Sequence, residues 1–171
     1  MLGVLAIIGV LSVAGIAGYT RAMEKWKINK TIDQVVMIVT NVRNLFVGTN
    51  DFSTLNTKAY SLGLFPNDMM KKSETEAYSA LGETVQLAGY SKGWGLSILL
   101  KTRAECMALT TQNWGEDKQV KFIEVMCGTT GVTHYSGHLS VDDAEFVCKN
   151  VGANRASYGP MKGKMLIYFN Y

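Results

Sequence analysis

The chain of 171 residues has room for one domain and an extra element, and is too short for two full domains. Its 47% hydrophobic and 18% charged residues are ordinary for a folded protein, and a net charge of +3 without a basic stripe among aromatics gives nucleic-acid binding no support. Cys106, Cys127 and Cys148 are too few and too widely spaced for a zinc site, so one disulfide and one leftover thiol is the economical reading for a domain outside the cytoplasm.

The apolar residues are concentrated at the start. No charged side chain occurs before Arg21. Twenty helical residues at about 1.5 Å each reach across a hydrocarbon core of roughly 30 Å. A cleaved secretory signal fits poorly, because no basic residue precedes the apolar run and the helical pattern continues through Ala14 to Gly18. A membrane anchor that also assembles with copies of itself fits best. Gly9, Gly15 and Gly18, with Ala14 and Ala17, place small side chains inside this span, and Ala14-x-x-x-Gly18 is a small-x-x-x-small pair suited to close helix approach. Lys25, Lys27 and Lys30 follow at once, which opposes an outside C-terminus unless a basic leader precedes the chain.

The helical pattern does not stop at the charges. Ile28, Ile32, Val35, Val39, Val42 and Phe46 are spaced 4, 3, 4, 3 and 4, which draws one apolar stripe suited to packing on a domain, with Lys30, Asp33, Gln34, Asn41 and Arg43 mostly off it. No proline interrupts Met1 to Val47, and Gly48-Thr49-Asn50-Asp51 is a stop signal. The spacing therefore predicts a helix of about 47 residues, roughly 70 Å, apolar all round in residues 1–24 and amphipathic in residues 25–48.

Residues 49–171 read as a globular head. A short helix is expected at Thr57 to Leu62 and a turn or helix start at Pro66-Asn67-Asp68. Strands are expected at Glu83 to Leu87 and Gly95 to Thr102 around a turn at Gly89 to Gly93, then a helix at Arg103 to Thr111 and a strand at Val120 to Cys127. A second helix is expected at Val141 to Asn150, with Ser140 as its N-cap and Asp142 and Asp143 in its first turn, and a last strand at Lys164 to Asn170. The implied class is α+β, a long N-terminal spine packed on an antiparallel sheet.

Chemistry is hard to place. His134 and His138 are four apart, but Gly131 and Gly137 argue for a solvent-facing loop there. A Cys127–His134 pair has no orienting group, and Gly93-Trp94-Gly95 lacks the lysine and flanking helix of a phosphate loop. Tyr90, Trp94, Trp114 and Tyr135 read as core or subunit packing. No catalytic residue, metal ligand or cofactor is expected.

The string AIIGVLSVAGIAGY, Ala6 to Tyr19, resembles the hydrophobic signature of type IV pilins and pseudopilins, and the resemblance is strong from Met1 to about Phe46. The cysteines resemble the type IVb branch, where a cysteine in a short helix, here Ala104-Glu105-Cys106-Met107-Ala108-Leu109, bonds to one just before the last strand. The resemblance implies a pilin-like fold, a disulfide between Cys106 and Cys148 and a free, buried thiol at Cys127, with Cys127–Cys148 as the competing pair. A loop of 42 residues so closed contributes about 3–4 kcal/mol by chain entropy.

The resemblance also implies a structural subunit of an extracellular type IV pilus, polymerised through Leu5, Ile7, Ile8, Gly9, Leu11, Ala14, Gly15, Ile16 and Gly18. Its partners would be copies of itself, the bacterial inner membrane before assembly with the head in the periplasm, a prepilin peptidase and the pilus assembly machinery; its final place would be the cell surface. Adhesion, motility, DNA uptake and conjugation all use such subunits. A glutamate characteristic of the family would fall just before Met1 on this alignment, so the leader and about five mature residues are expected upstream. A pseudopilin of a type II-like secretion system and a monomeric membrane-tethered binding module are the alternatives.

Overall fold

The computed structural model describes residues 2–49, 51–115, 120–127, 130–135, 138–152, 154–155, 159–160 and 163–170, with side chains at 15–49, 51–115, 120–126, 138–152 and 163–169. Helix α1 (Leu2–Leu45) is one continuous element of 44 residues, about 66 Å long. It ends where Gly48 adopts φ +77°, the left-handed conformation that a Cβ disfavours. Past this stop the chain folds back, and the ring of Phe52 stacks on that of Phe46 at 5.2 Å.

The buried face of α1 comprises Val35, Ile38, Val39, Val42 and Phe46. Ile38 is completely buried, although the 4-3-4-3-4 row passes it by, while Ile28 and Ile32 are only partly covered. The contact face is also less apolar than that row suggests. Thr31 and Gln34 are buried as well, and Gln34 is no solvent-facing residue.

A turn-rich connection follows, with a single short helix α2 (Leu55–Lys58) rather than one over Thr57 to Leu62. Burial of Leu55 draws the helix start forward, and Gly63 at φ +70° ends the turns after it. Pro66 opens a turn closed by the Met69 N–H donating to its carbonyl. Two unforeseen short strands come next, β1 (Met70–Lys71) and β2 (Glu76–Tyr78). Their polar sequence carries no strand pattern; they form because Ala77 pairs with Val85 and is buried there.

The central strands are β3 (Thr84–Tyr90) and β4 (Gly93–Leu100), followed by α3 (Arg103–Thr110), β5 (Val120–Cys127), β6 (Thr130–Tyr135), α4 (Val141–Cys148), the small pair β7 (Asn154–Arg155) and β8 (Gly159–Pro160), and β9 (Gly163–Asn170). Seven strands make one sheet in the order β1-β2-β3-β4-β9-β5-β6, every neighbouring pair antiparallel. The last strand thus inserts between β4 and β5. Alternation sets the inner face: Trp94, Leu96, Ile98 and Leu100 on β4 and Met165, Ile167 and Phe169 on β9 are buried. Trp94 lies opposite Phe169, and their rings stack at 4.2 Å. A bulge between Val120 and Phe122 shifts β5 so that Val120, Ile123 and Val125 all face inward. His134 lies on β6, opposite Glu124, and not in a loop; pairing with β5 overrides the local glycine signal of Gly131.

Gly89 marks the tightest approach. A Cβ there would run into the carbonyl oxygen of Phe52, and the Asn56 side chain brackets the same residue, donating to its carbonyl at 2.8 Å and accepting from its N–H at 3.0 Å. Gly89→Ala is expected to cost about 1–3 kcal/mol by forcing the post-helix turn off the sheet. Thermal unfolding of the detergent-solubilised chain checks this, and an unchanged midpoint refutes it.

Candidate assembly surface

Helix α1 presents two faces. Its upper half is held to the head by apolar burial, each fully buried aliphatic or aromatic side chain contributing about 1.5–3 kcal/mol, and by a polar seam beside it. Lys30 Nζ donates to Asp68 at 2.6 Å, the Thr31 hydroxyl accepts from Leu81 N–H at 3.2 Å, Gln34 Oε1 accepts from Ala80 N–H at 2.9 Å, and Asn41 Nδ2 donates to the Leu64 carbonyl at 3.1 Å. The side chains of Thr31 and Gln34 thus satisfy backbone donors of the turn before β3, which explains why polar residues sit under the head. The hydrogen bond and charge of Asp68 raise the Lys30 pKa, and Lys30 in turn lowers that of Asp68.

Away from the buried stripe much of α1 is exposed. Gly15, Ile16, Gly18, Tyr19, Trp26, Val36 and Met37 are all exposed, Tyr19 at 68%, Trp26 and Met37 at 55%. A lone exposed apolar side chain needs no explanation, whereas several along one helix make it a candidate contact surface. The expectation for Leu5, Ile7, Ile8, Gly9, Leu11 and Ala14 falls on side chains outside the described residues. Among the described residues no helix is long and apolar enough to cross a membrane.

The connection after α1 is latched to the β1–β2 hairpin by one carboxylate. Glu74 pairs with Lys71, accepts from Ser61 N–H at 3.2 Å and from Ser61 Oγ at 2.6 Å. The hydrogen bonds from Lys71 and Ser61 hold its pKa down at about 2, against an ordinary 4.5. A depressed carboxylate tightens the fold fully above pH 4.5, and that contribution is lost as pH falls through about 2. Proteolysis within residues 58–76 is therefore expected to rise over that window and to lose this pH dependence in Glu74→Gln; an identical profile in the variant refutes the latch.

At the other side of the head, α3 and α4 are joined by a disulfide between Cys106 and Cys148, whose Cα atoms lie 5.7 Å apart. Both helices are capped. Thr102 and Glu105 form a reciprocal capping box on α3, and Ser140 accepts from Asp143 N–H on α4. The Thr102-x-x-Glu105 spacing is itself the sequence signature of such a box. Arg103 pairs with Glu145 across the two helices at 2.5 Å. The expected free thiol at Cys127 lies on a side chain outside the described residues. Trp94 and Trp114 are core residues, whereas Tyr90 is exposed.

A long half-free helix, an antiparallel sheet with the last strand inside it and a disulfide-closed edge define the architecture. The Bundlin family profile matches residues 21–170, which takes in the amphipathic half of α1 and the whole described head. The chain belongs to the Bundlin family. Bundlin is a type IV pilin family, structural rather than enzymatic, so the chain is a pilin subunit of the type IV pili that such proteins assemble into at the cell surface. No curated protein and no solved structure matches the chain significantly.

Proposed function

We propose that this chain is an extracellular filament subunit that polymerises through α1. The observation that carries the reading is the division of one continuous helix. Its upper half packs under the head, and its lower half extends past the head with Ile16 and Tyr19 open to the surroundings. Residues 1–24 form the assembly half, 25–48 the packing half and 49–171 the head.

Before assembly, the uncharged run Met1–Thr20 resides in the inner membrane and the head in the periplasm. The disulfide supports that placement, since such bonds persist in oxidising compartments. A prepilin peptidase and the pilus machinery then move the helix from lipid to filament core. Exchange of lipid for protein gains little by itself, so helix packing and the machinery supply the driving force. Leu5, Ile7, Ile8, Gly9, Leu11, Ala14, Gly15, Ile16 and Gly18 are the assembly contacts on this reading, and Cys127 is the unpaired thiol. A filament map is the test: the helices of residues 1–46 belong bundled at the centre, and a map with them on the outside refutes the proposal.

A further inference from the structure

We propose that α1 carries a collar for anionic phospholipid, in which Arg21, Lys25 and Lys27 meet the headgroup phosphates of the leaflet beneath the head; this rests on the membrane reading above. These cations need a reason. They follow the uncharged run Met1–Thr20 directly and oppose delivery of the head to the outside, since positive charge beside a span favours the cytoplasmic side. Nothing in the described part of the chain offsets that cost. Arg21, Lys25 and Lys27 are all exposed and join no ion pair among the described residues, whereas Lys30, one turn further on, is held by Asp68 at 2.6 Å.

Their arrangement suits a lipid layer better than a second helix. At about 100° per residue, Arg21 and Lys25 lie about 40° apart on one flank of α1, and Lys27 lies about 160° from Lys25 on the other. Tyr19 and Trp26, about 20° apart, occupy the side between them, away from the head. One partner helix covers one of these sides; a headgroup layer surrounds all three. Arg21 to Lys27 spans about 9 Å of axis, which long, flexible side chains fit to a headgroup layer of about 5–8 Å. Tyr19 and Trp26, 68% and 55% exposed, are the amphipathic rings that such an interface favours.

The head reaches down to the same level, where Leu81, Ala104 and Glu105 border a groove against Glu24, Lys27 and Ile28. Glu105 is occupied there by the backbone N–H groups of Lys101 and Thr102, which donate to it at 2.7 and 3.2 Å. Lys101 and Arg103 on the rim of the head are already paired, with Glu83 and Glu145. Glu24 is then the one carboxylate set against three uncommitted cations. The excess is positive, so the collar favours an anionic headgroup over a zwitterionic one.

The test is the lipid selectivity of the full chain in mixed vesicles of phosphatidylcholine and phosphatidylglycerol. Tyr19→Trp with Trp26→Phe places one reporter indole at the membrane boundary, while Trp94 and Trp114 stay buried in the head. Lipids brominated high on the acyl chain quench an indole only when they lie beside it. Phosphatidylglycerol is expected to be preferred there by about fivefold or more, and adding Arg21→Gln, Lys25→Gln and Lys27→Gln to bring the preference within about 1.5-fold of none. Formation of the Cys106–Cys148 disulfide reports that each chain folds. Inorganic phosphate at matched ionic strength should leave the preference unmoved; its loss there overturns the assignment to lipid. Equal quenching by the two lipids with the cations intact overturns the collar and leaves the membrane reading standing. A preference that survives in the neutral variant overturns the choice of residues. Quenching by neither lipid places α1 outside the bilayer, and the membrane reading falls together with the collar.

Discussion

Replacing Cys106 and Cys148 together by serine will lower the unfolding midpoint of the purified chain by roughly 10 °C. The bond closes a sequence separation of 42 residues, which by chain entropy is about 3–4 kcal/mol, and in a protein of this size each kcal/mol moves the midpoint by about 2–4 °C. The effect is concentrated in the region the bond encloses. Helices α3 and α4 have only eight residues each, below the length at which helices are stable alone, and their caps contribute about 1 kcal/mol apiece. Beyond these they are held by the exposed Arg103–Glu145 pair and by the packing of Leu109, Ala144 and Val147 beneath them. Reductant should lower the wild-type midpoint by the same amount and leave the double variant unmoved. A wild type that melts alike with and without reductant would show that packing, not the cross-link, holds this edge.

The second expected result separates two neighbours on α1. Ile38→Ala will destabilise the chain by about 2–5 kcal/mol, whereas Met37→Ala will change its stability by less than about 0.5 kcal/mol and will reduce filament yield. Ile38 is completely buried among core residues and Met37 is 55% exposed, so one residue step along the helix crosses from the head interface to the free face. Denaturant unfolding of the detergent-solubilised chain reads the first effect, and electron microscopy of surface filaments the second. Equal destabilisation by the two substitutions would mean that the helix packs on the head through both faces, and no free face would exist there.

Together these results assign separate roles to the two sides of one helix. The head-facing side determines whether the subunit is a rigid body. On the proposed reading, the free side is what joins the rigid body to other copies. The polar seam of Lys30, Thr31, Gln34 and Asn41 adds hydrogen bonds that water would also supply, so its gain in stability is modest, about 0.5–1.5 kcal/mol for each neutral bond. Its larger effect is on orientation, because a rotated helix would bury Gln34 and Thr31 unsatisfied.

Much of this molecule was determined by the order of its residues alone. The spine follows from an uncharged run that passes without proline into a 3.6-residue periodicity and stops at a glycine, all of it local information. The strands β3, β4, β5 and β9 and the helices α3 and α4 likewise carry their own patterns and caps. What the tertiary structure decided is everything that depends on a distant partner. Ile38, Thr31 and Gln34 became interface because the turn at Ser79–Glu83 presents backbone donors to one side of the apolar row. The β1–β2 hairpin exists because β3 offers an edge, and His134 joined a strand because β5 offered another. The insertion of β9 between β4 and β5 was also invisible in sequence, since alternation says which residues face inward but not which strand lies alongside. Pairing is a long-range choice, made by the burial of whole faces and not by any residue's own preference.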